Sequence, residues 1–247
     1  MSGGQAGEGV VRPVEPAKRS LKSRTLRAGS WTVVAHLAAQ VLRLVSSLVM
    51  TRLLAPEMFG VMAIATVVQV TIHMLSDIGI QQVIVQHRRG NASDFLDTAW
   101  SMQIVRGGII WVFCVAVGLF LYALGHSEWA PAGTVYASPI LPAIIASTSF
   151  ASVITGFTST KAIIARRDLD MRKVTLIELI AQIAGLLLMF AIGWWTRSIW
   201  SVVAGGLLTA VVSVALSHGW LRGHRDRFLF EPECAKEIIS FGRWILL

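Results

Sequence analysis

The chain has 247 residues, of which 54% are hydrophobic and only 15% are charged, and its mean hydropathy is +0.64. Soluble domains carry roughly 25% charged residues, so this composition excludes a soluble globular protein, and it is the opposite of a disordered one. The two cysteines, Cys114 and Cys234, cannot form a disulfide framework. The net charge of +8 gives no sign of nucleic-acid binding, because the basic residues lie between long apolar segments. The composition is that of a membrane protein.

Seven segments of the chain are candidates for transmembrane helices, which need about 20 apolar residues to cross a hydrocarbon layer of about 30 Å. Six are complete, and a seventh opens at Ile238 and is still apolar at Leu247, so we expect the sequence to be truncated there. Residues 1–25, rich in glycine, proline and charge, are expected to form a disordered tail. The six complete predicted spans are residues 28–50, 59–79, 99–124, 135–157, 174–195 and 199–217.

The lysines and arginines between the spans predict the orientation, because cytoplasmic loops are enriched in both. With the N-terminus inside, the tail and the inner loops hold 17 of these residues, and the outer loops hold only Arg52 and Arg197. We therefore expect a cytoplasmic N-terminus, and basic loops that lie against anionic membrane lipids. Asn91 begins a glycosylation sequon, but this topology leaves it in the cytoplasm, where it has no use.

Polar residues at helical spacing mark one face on each of the first five spans. Such faces cannot point to lipid, so they must point to each other or to water. For the hydroxyl-rich fourth span we favour contacts between helices, and the sixth span, with Gly205 and Thr209, is typical of a close-packing face. The polar residues are Thr32, His36, Gln40, Arg43, Ser47; Thr66, Gln69, His73, Asp77; Gln103, Arg106; Thr148, Ser152, Thr155, Ser159; and Thr175, Glu178, Gln182.

Arg43 and Arg106 lie about 10 Å inside their spans, at 1.5 Å per residue. Snorkelling to the headgroups is one explanation, but each shares a face with a glutamine, Gln40 or Gln103, which favours a water-filled cavity. Because guanidinium groups suit phosphate, the deep charges predict a carrier or channel with an interior that accepts anions. Gly107 and Gly108 leave room beside Arg106 for a bulky head group to approach the backbone.

Acidic and histidine residues in the spans allow two interpretations. Asp77 and Glu178 lie near the inner boundary, where a salt bridge to a loop arginine competes with a role as a coupling-ion site. His36 and His73 could relay protons, but a structural, hydrogen-bonded histidine is the simpler interpretation. No catalytic, nucleotide-binding or metal-binding motif is present, and Asp168-Leu-Asp170 is a weak match to a transferase motif. We therefore expect no enzyme activity, no cofactor and no metal.

Four strings resemble the polysaccharide, or O-antigen, flippase branch of the multidrug/oligosaccharidyl-lipid/polysaccharide exporter superfamily. Residues 21–31 are similar to the basic, Gly-Trp start of that family's first helix, and residues 51–60 (TRLLAPEMFG) to its R-L-L-G-P-E-x-F/Y-G turn, with Ala55 in place of glycine. Residues 74–80 (MLSDIGI) are similar to its S-D-L-G-L string, and residues 165–178 to its R-R-x-L-x-F-R-x-L loop, with Met171 at the aromatic position. The order and spacing of these strings make the resemblance specific.

The resemblance implies an all-α polytopic fold of two six-helix lobes around a cavity that opens alternately to either side. This chain is then a cytoplasmic tail (1–25), a six-helix N-lobe (26–220), a cytoplasmic linker (221–237) and the start of a second lobe (238–247). Gly242-Arg-Trp244 repeats Gly29-Ser-Trp31, as an internal repeat requires.

The implied activity is flipping of polyprenyl-pyrophosphate-linked oligosaccharide from the cytoplasmic to the outer leaflet of the bacterial inner membrane, driven by ion gradients or membrane potential. Arg43 and Arg106 then meet the pyrophosphate, and the glutamines, serines and threonines of the polar faces, Gln40 and Gln103 among them, meet sugar hydroxyls. Polysaccharide-assembly proteins are candidate partners. Three alternatives stay open: a drug or cation exporter of the same superfamily, which needs deep acidic residues; a membrane-embedded enzyme of polysaccharide assembly, which needs a long catalytic outer loop; and a nonfunctional half.

The charge distribution predicts which loops are outside. In a protein without Cys114 and Cys234, single cysteines replacing Ser127 and Ser93 should react oppositely with an impermeant thiol reagent applied to intact cells. Position 127 should be labelled and position 93 protected, because the arginine-poor loops face outward. Labelling of position 93 but not of position 127 would reverse the orientation.

Overall fold

The computed structural model describes residues 33, 36–48, 51, 56–77, 79–126, 135–168 and 170–246. In this part of the chain the regular structure is helical, with one 3-10 turn at Val135–Ala137. The predicted all-α class is confirmed for these residues, whereas the predicted tail, 1–25, lies outside them. The helices are α1 (36–48), α2 (Pro56–Leu75), α3 (Ile80–Gln86), α4 (Ser93–Gly125), α5 (Leu141–Gly156), α6 (Lys161–Arg167), α7 (Met171–Thr196), α8 (Trp200–Gly219) and α9 (Pro232–Leu246).

Four of these helices, α2, α4, α7 and α8, are long and apolar enough to cross a membrane. A fifth span results if α5 and α6, which are bent by 69° relative to each other, are counted as one broken helix. Helix α4 is the longest at 33 residues, which is about 50 Å at 1.5 Å per residue, so it extends beyond a hydrocarbon layer of about 30 Å. The described residues therefore form a multi-pass membrane protein.

The complete six-helix lobe and the seventh span stay predictions. The first predicted span is helical at residues 36–48, and several of its other residues lie outside the described part of the chain. The helix predicted from Ile238 begins earlier, at Pro232, and α9 is not among the helices that qualify as spans. Its residues Cys234, Ala235 and Ile238 are buried against α3 and α4.

The centre of the bundle is formed by α4, α5 and α8, since α5 packs against both of the others. Helix α7 lies along α8, and α2 lies against α4 and α5. The shared core includes Ile110 and Cys114 of α4 and Ile144 and Ile145 of α5. On the opposite side α4 exposes large apolar side chains such as Phe120, which is 62% exposed. An apolar surface of this kind suits lipid, so the hydrophobic core and the lipid-facing surface lie on opposite sides of the same helix.

A second core lies at the end of the bundle where α4 begins, which we call the α9 end. Phe95 from the first turn of α4 packs there with Ile84 of α3, Ile163 of α6 and Ile238 of α9. Residues 220–231, which we call the strap, connect α8 to α9 across this end without regular structure. The short helices α3 and α6, the strap and α9 therefore form a layer that closes one end of the membrane-spanning helices.

A bend between α5 and α6 joins the membrane-spanning bundle to this layer. The backbone N–H of Ser159 donates to Ser217 Oγ of α8 at 3.1 Å, and that of Thr160 donates to Asp226 Oδ1 of the strap at 3.3 Å. Asp226 also accepts hydrogen bonds from the hydroxyls of Ser159, at 2.6 Å, and Thr160. Ser159 and Thr160 are fully buried, so backbone groups released from the helix by the bend are paired by side chains, as an apolar environment requires.

Close approach of α7 and α8 depends on two glycines. A Cβ added at Gly205 would lie 2.7 Å from the carbonyl oxygen of Gly185 and 2.8 Å from Cβ of Met189, closer than real Cβ contacts. A Cβ added at Gly185 would lie 2.5 Å from the carbonyl oxygen of Gly205. The close-packing face predicted for the sixth span is therefore confirmed.

Gly205→Ala should destabilise the bundle, because the new methyl group forces α7 and α8 apart, at a cost of about 1–3 kcal/mol for an overpacked contact. The neighbouring Gly206→Ala is the matched control, since nothing lies within 4 Å of a Cβ added there. Thermal unfolding of the purified protein in detergent should show a lower midpoint for the first variant only. Equal midpoints for the two variants would contradict the close contact.

Candidate functional site: a polar cavity beside the bend

A cavity of about 340 Å³ lies between α2, the start of α3, α4, α5 and α6, next to the bend. Its polar lining comes from His73, Gln103, Arg106, Ser152 and Arg166, together with backbone and hydroxyl groups of the bend. No acidic side chain is among the described residues that line the cavity, although carboxylates from outside the lining pair with both arginines. The cavity is thus a polar, arginine-lined space inside a bundle of apolar helices.

Arg106 connects α4 to the end of α2. Its Nη1 lies 3.2 Å from Asp77 Oδ1, and its Nη2 donates to the carbonyl oxygen of His73 at 3.3 Å. The side chain is 16% exposed, and its Nε is buried without a hydrogen-bond partner. A buried guanidinium normally uses its donors, so this N–H is a hydrogen-bonding capacity that the described protein groups leave unused.

Asp77 lies beyond the end of α2 rather than on its polar face. The helix ends at Leu75, and Asp77 Oδ1 accepts a hydrogen bond at 3.1 Å from the backbone of Gly79. Gly79 has φ 69°, a left-handed conformation that glycine adopts without strain. This turn places the carboxylate toward Arg106 and separates α2 from α3, so the polar face predicted for the second span ends at His73.

Ser152 of α5 is the second unsatisfied group in the cavity lining. It is 4% exposed, and its Oγ has no hydrogen-bond partner. An unpaired buried hydroxyl costs about 1–3 kcal/mol. Ser152 was predicted as part of a polar face but was not singled out as a site residue. Ser149, which lies off that face, donates its Oγ to Ile145 O at 2.6 Å.

Contacts between α5 and its neighbours differ from the prediction for the fourth span. The hydroxyls of Thr148 and Thr155 donate to carbonyl oxygens of their own helix rather than to other helices. Longer side chains of α2 and α4 donate to α5 instead: Gln69 Nε2 to Thr148 O at 3.4 Å, Gln103 Nε2 to Thr155 O at 3.3 Å and Trp111 Nε1 to Ala146 O at 3.0 Å. The predicted interhelical hydroxyl contacts at these threonines are therefore wrong, because a hydroxyl in a helix reaches its own i−4 carbonyl first.

Gly107 does not provide the open space that the sequence indicated. A Cβ there would lie 2.5 Å from the carbonyl oxygen of Ser152, so α4 and α5 are in close contact at this glycine. Of the two glycines that follow Arg106, Gly108 alone has nothing within 4 Å of an added Cβ. The expectation of free space beside Arg106 is thus wrong for Gly107, whose small size serves helix packing.

A second cavity, of about 500 Å³, lies between α1, α7 and α8 and includes His36, Arg43 and Glu178 in its lining. Glu178 forms a 2.6 Å ion pair with Arg166, and Arg166 lines both this cavity and the first one. Sequence reasoning counted Arg166 only as a loop charge. The short helix α6, which follows the bend, carries it to the boundary between the two cavities.

The predicted site residues therefore fall into two groups rather than one. His73, Gln103 and Arg106 line the first cavity, and Asp77 is paired to Arg106. His36, Arg43 and Glu178 line the second cavity. Gln40 is exposed and lines neither. Arg106 and Glu178 are not partners, since Arg106 pairs with Asp77 and Glu178 with Arg166. The roles of all eight predicted residues in binding and ion coupling stay predictions.

Asp94, Glu231 and Cys234 bring three possible metal-ligating atoms within 4.8 Å of one another. Arg89 already occupies this cluster, with Nη2 2.9 Å from Asp94 Oδ2 and 3.9 Å from Cys234 Sγ. Burial, together with the hydrogen bond to Glu231 and its charge, raises the pKa of the Cys234 thiol to about 11. Because a metal binds the thiolate, this cluster is a poor ligand set and is better described as an ion pair that holds α9 against α4.

Comparison with known proteins decides the family. A family model described as "Polysaccharide biosynthesis protein" matches residues 49–247. The chain belongs to this family. The match extends over every span from the second onward, and it confirms the resemblance to polysaccharide flippases that the four sequence strings carry.

Two curated relatives are similar to most of this chain. The "Lipopolysaccharide biosynthesis protein WzxC" of Escherichia coli (strain K12) is 24% identical over 92% of this chain and 44% of its own length. An "Uncharacterized membrane protein in cps region" of Klebsiella pneumoniae is 26% identical over 77% of this chain and 37% of its own length. The chain thus spans less than half of either relative. No solved structure matches it significantly.

Ser152→Ala should not lower the stability of the protein, because the hydroxyl that it removes has no partner to lose. Ser149→Ala, one turn away on the same helix and equally buried, should lower it by about 1 kcal/mol through the loss of a hydrogen bond. Thermal unfolding in detergent measures both. A larger loss for Ser152→Ala than for Ser149→Ala would mean that the Ser152 hydroxyl is already satisfied.

Proposed function

We propose that the chain forms one lobe of an exporter that moves polyprenyl-pyrophosphate-linked oligosaccharide from the cytoplasmic to the outer leaflet of the bacterial inner membrane. Support for membrane export in polysaccharide synthesis comes from the family match and from WzxC. The assignment of a substrate class goes beyond what these comparisons support, and it depends on the chemistry of the first cavity. The two-lobe arrangement accords with the coverage of the relatives, of which this chain matches 44% and 37%.

The observation that carries the proposal is the combination of an unpaired guanidinium N–H and an unpaired hydroxyl on residues of one arginine-lined cavity. Arg106 Nε and Ser152 Oγ are both buried and unpaired, and both residues line the cavity. A pyrophosphate group supplies several strong acceptors, which pair well with a guanidinium. Sugar hydroxyls can donate and accept, as the Ser152 hydroxyl and the oxygen of the Gln103 amide require. A pyrophosphate joined to a sugar matches both needs.

Arg166 is the natural second contact for the anionic group. It lines both cavities and is 45% exposed at its side chain, paired with Glu178. An anion in the first cavity competes with Glu178 for this arginine. Arg43 continues the cationic lining in the second cavity, so a phosphate group moving between the cavities meets a guanidinium on either side.

The α9 end is cytoplasmic in this proposal, because the strap and α6 carry many of the basic residues that predict the inside. The lobe then presents the cavity beside the bend to the cytoplasmic leaflet, where the substrate is made. Alternating access and ion coupling belong to the same proposal. Asp77 and Glu178, each in an ion pair with a cavity arginine, are placed to take up a proton or cation when the arginine binds substrate, with His36 and His73 as further candidates.

The alternatives are less well supported by the same residues. A drug or cation exporter requires acidic groups in the cavity, whereas the described lining of the first cavity is cationic. A polysaccharide-assembly enzyme requires a catalytic constellation. Asp168-Leu-Asp170 does not supply one, since Asp170 forms an ion pair with Lys173 and both carboxylates are on exposed residues.

Substitution of Arg106 in the intact protein tests the proposal. Arg106→Ala should abolish export of lipid-linked oligosaccharide, and Arg106→Lys should retain part of it, because the charge remains while the forked donor is lost. Arg197→Gln, which removes an exposed guanidinium at the far end of α7, should export normally. The measurement is surface polysaccharide in cells that carry each variant, together with the amount of protein in the membrane.

Loss of the Arg106–Asp77 ion pair is a separate cause of failure that a double variant distinguishes. If Arg106 is only structural, Arg106→Gln and Asp77→Asn should each reduce the folded protein, and the double variant should restore both protein and export, because no buried charge is left unpaired. If Arg106 binds substrate, the double variant restores protein and not export. Normal export by Arg106→Ala at a normal protein level excludes both roles.

A further inference from the structure

Backbone N–H groups of alternate strap residues donate hydrogen bonds to side chains of α4. The backbone N–H of Arg227 donates to Asp97 Oδ1 at 2.9 Å, that of Leu229 to Ser101 Oγ at 3.2 Å and that of Glu231 to Thr98 Oγ1 at 3.3 Å. Donation from every second residue is the pattern of an extended chain, in which successive side chains point to opposite sides. The side chains between the donors, at positions 228 and 230, therefore point to the same side of the strap.

Those two side chains are large, apolar and exposed. Phe228 is 67% exposed and Phe230 is 61% exposed, and Leu229 between them is 46% exposed. One edge of Phe228 contacts the buried Trp100, with ring centroids 5.2 Å apart, which leaves the rest of its ring uncovered. Three consecutive exposed apolar residues on an ordered segment mark a surface that contacts something other than water.

The position of the strap relative to the bundle indicates what that surface contacts. Helix α8 has the length of one membrane span, 20 residues, and ends at Gly219, so Trp220 and the strap begin at a membrane boundary. Leu229 is hydrogen-bonded to Ser101, two turns inside the start of α4. The apolar part of the strap thus lies level with the place where α4 enters the hydrocarbon layer.

Basic residues flank the apolar ones on the same segment. Arg222, Arg225 and Arg227 are all exposed, and Trp220 is 44% exposed. Aromatic side chains at the headgroup level and arginines beside them are the pattern of segments that bind an anionic lipid surface. A lipid surface satisfies the arginines and the phenylalanines together, so it is the occupant that this pattern favours.

We propose that the strap is a membrane-interface anchor, in which Phe228 and Phe230 insert into an anionic leaflet and the three arginines contact lipid phosphates. Asp226, on the same strap, pairs the hydroxyls of the bend, so insertion holds the bend that borders the first cavity. This anchor role is independent of the transported substrate. It depends only on the described strap and on the presence of anionic lipid.

The test uses spin labels in the intact protein, in nanodiscs of phosphatidylcholine with or without phosphatidylglycerol. Single cysteines at positions 228 and 230 are labelled in a protein in which Cys114 and Cys234 are replaced by alanine. Collision with oxygen reports lipid, and collision with a water-soluble nickel chelate reports water. Position 120 on the lipid side of α4 and the exposed position 233 on α9 are the lipid and water controls, and position 120 also shows that the bundle is folded.

In discs with phosphatidylglycerol, labels at 228 and 230 should be accessible to oxygen and protected from nickel, as at position 120. The ratio of inserted to withdrawn strap should fall in pure phosphatidylcholine. In discs with phosphatidylglycerol, an R222Q/R225Q/R227Q variant should lower this ratio by roughly fivefold for each arginine removed. Nickel access equal to that at position 233 would place the strap in water and overturn the anchor. Protection from both reagents would mean that protein covers it, and an unchanged ratio in the triple variant would exclude the arginines.

Discussion

One hydroxyl, of Ser217, and one carboxylate, of Asp226, pair the backbone of the bend between α5 and α6, and the rest of the α9 end depends on that pairing. A helix that turns by 69° inside a membrane protein leaves backbone N–H groups without partners, and these are costly to bury. Ser217 and Asp226 satisfy them. Asp226 can do so only if the strap returns over the bundle, and the strap returns because Asp97, Thr98 and Ser101 bind its backbone.

The cavity chemistry follows from the same bend. If α5 continued straight, the chain after Gly156 would run past α4, whereas the turn directs α6 across the bundle and places Arg166 between the two cavities. Arg106 has two protein partners at the end of α2 and still keeps one N–H free. Two protein contacts thus fix the orientation of Arg106, and its remaining N–H reaches a ligand only when the buried Nε is uncovered.

The positions of the long helices could be predicted from the sequence, because twenty apolar residues have few alternatives in a membrane. The predicted fifth span, 174–195, became Met171–Thr196, and the sixth, 199–217, became Trp200–Gly219. The bend could not be predicted, since residues 155–160 continue the polar spacing of α5. The partner of Arg106 could not be predicted either. Asp77 reaches Arg106 because the chain turns at Gly79 and because α2 packs against α4. Arg43, Gln103 and Arg106 were predicted as polar groups of an interior, but their division between two cavities depends on helix packing that no local pattern encodes.

Glycine contacts also determine which parts of the lobe can slide. At Gly107 the α4 backbone rests on the Ser152 carbonyl of α5, and at Gly205 the α8 backbone rests on the Gly185 carbonyl of α7. Main chain packed on main chain has no side chain that can change rotamer to absorb a shift, and packed interfaces of this kind switch between arrangements rather than deform. The α4–α5 and α7–α8 pairs therefore behave as two stiff blocks. Shear between them is confined to the α5–α8 contact and to α2, whose attachments are longer side chains such as Gln69.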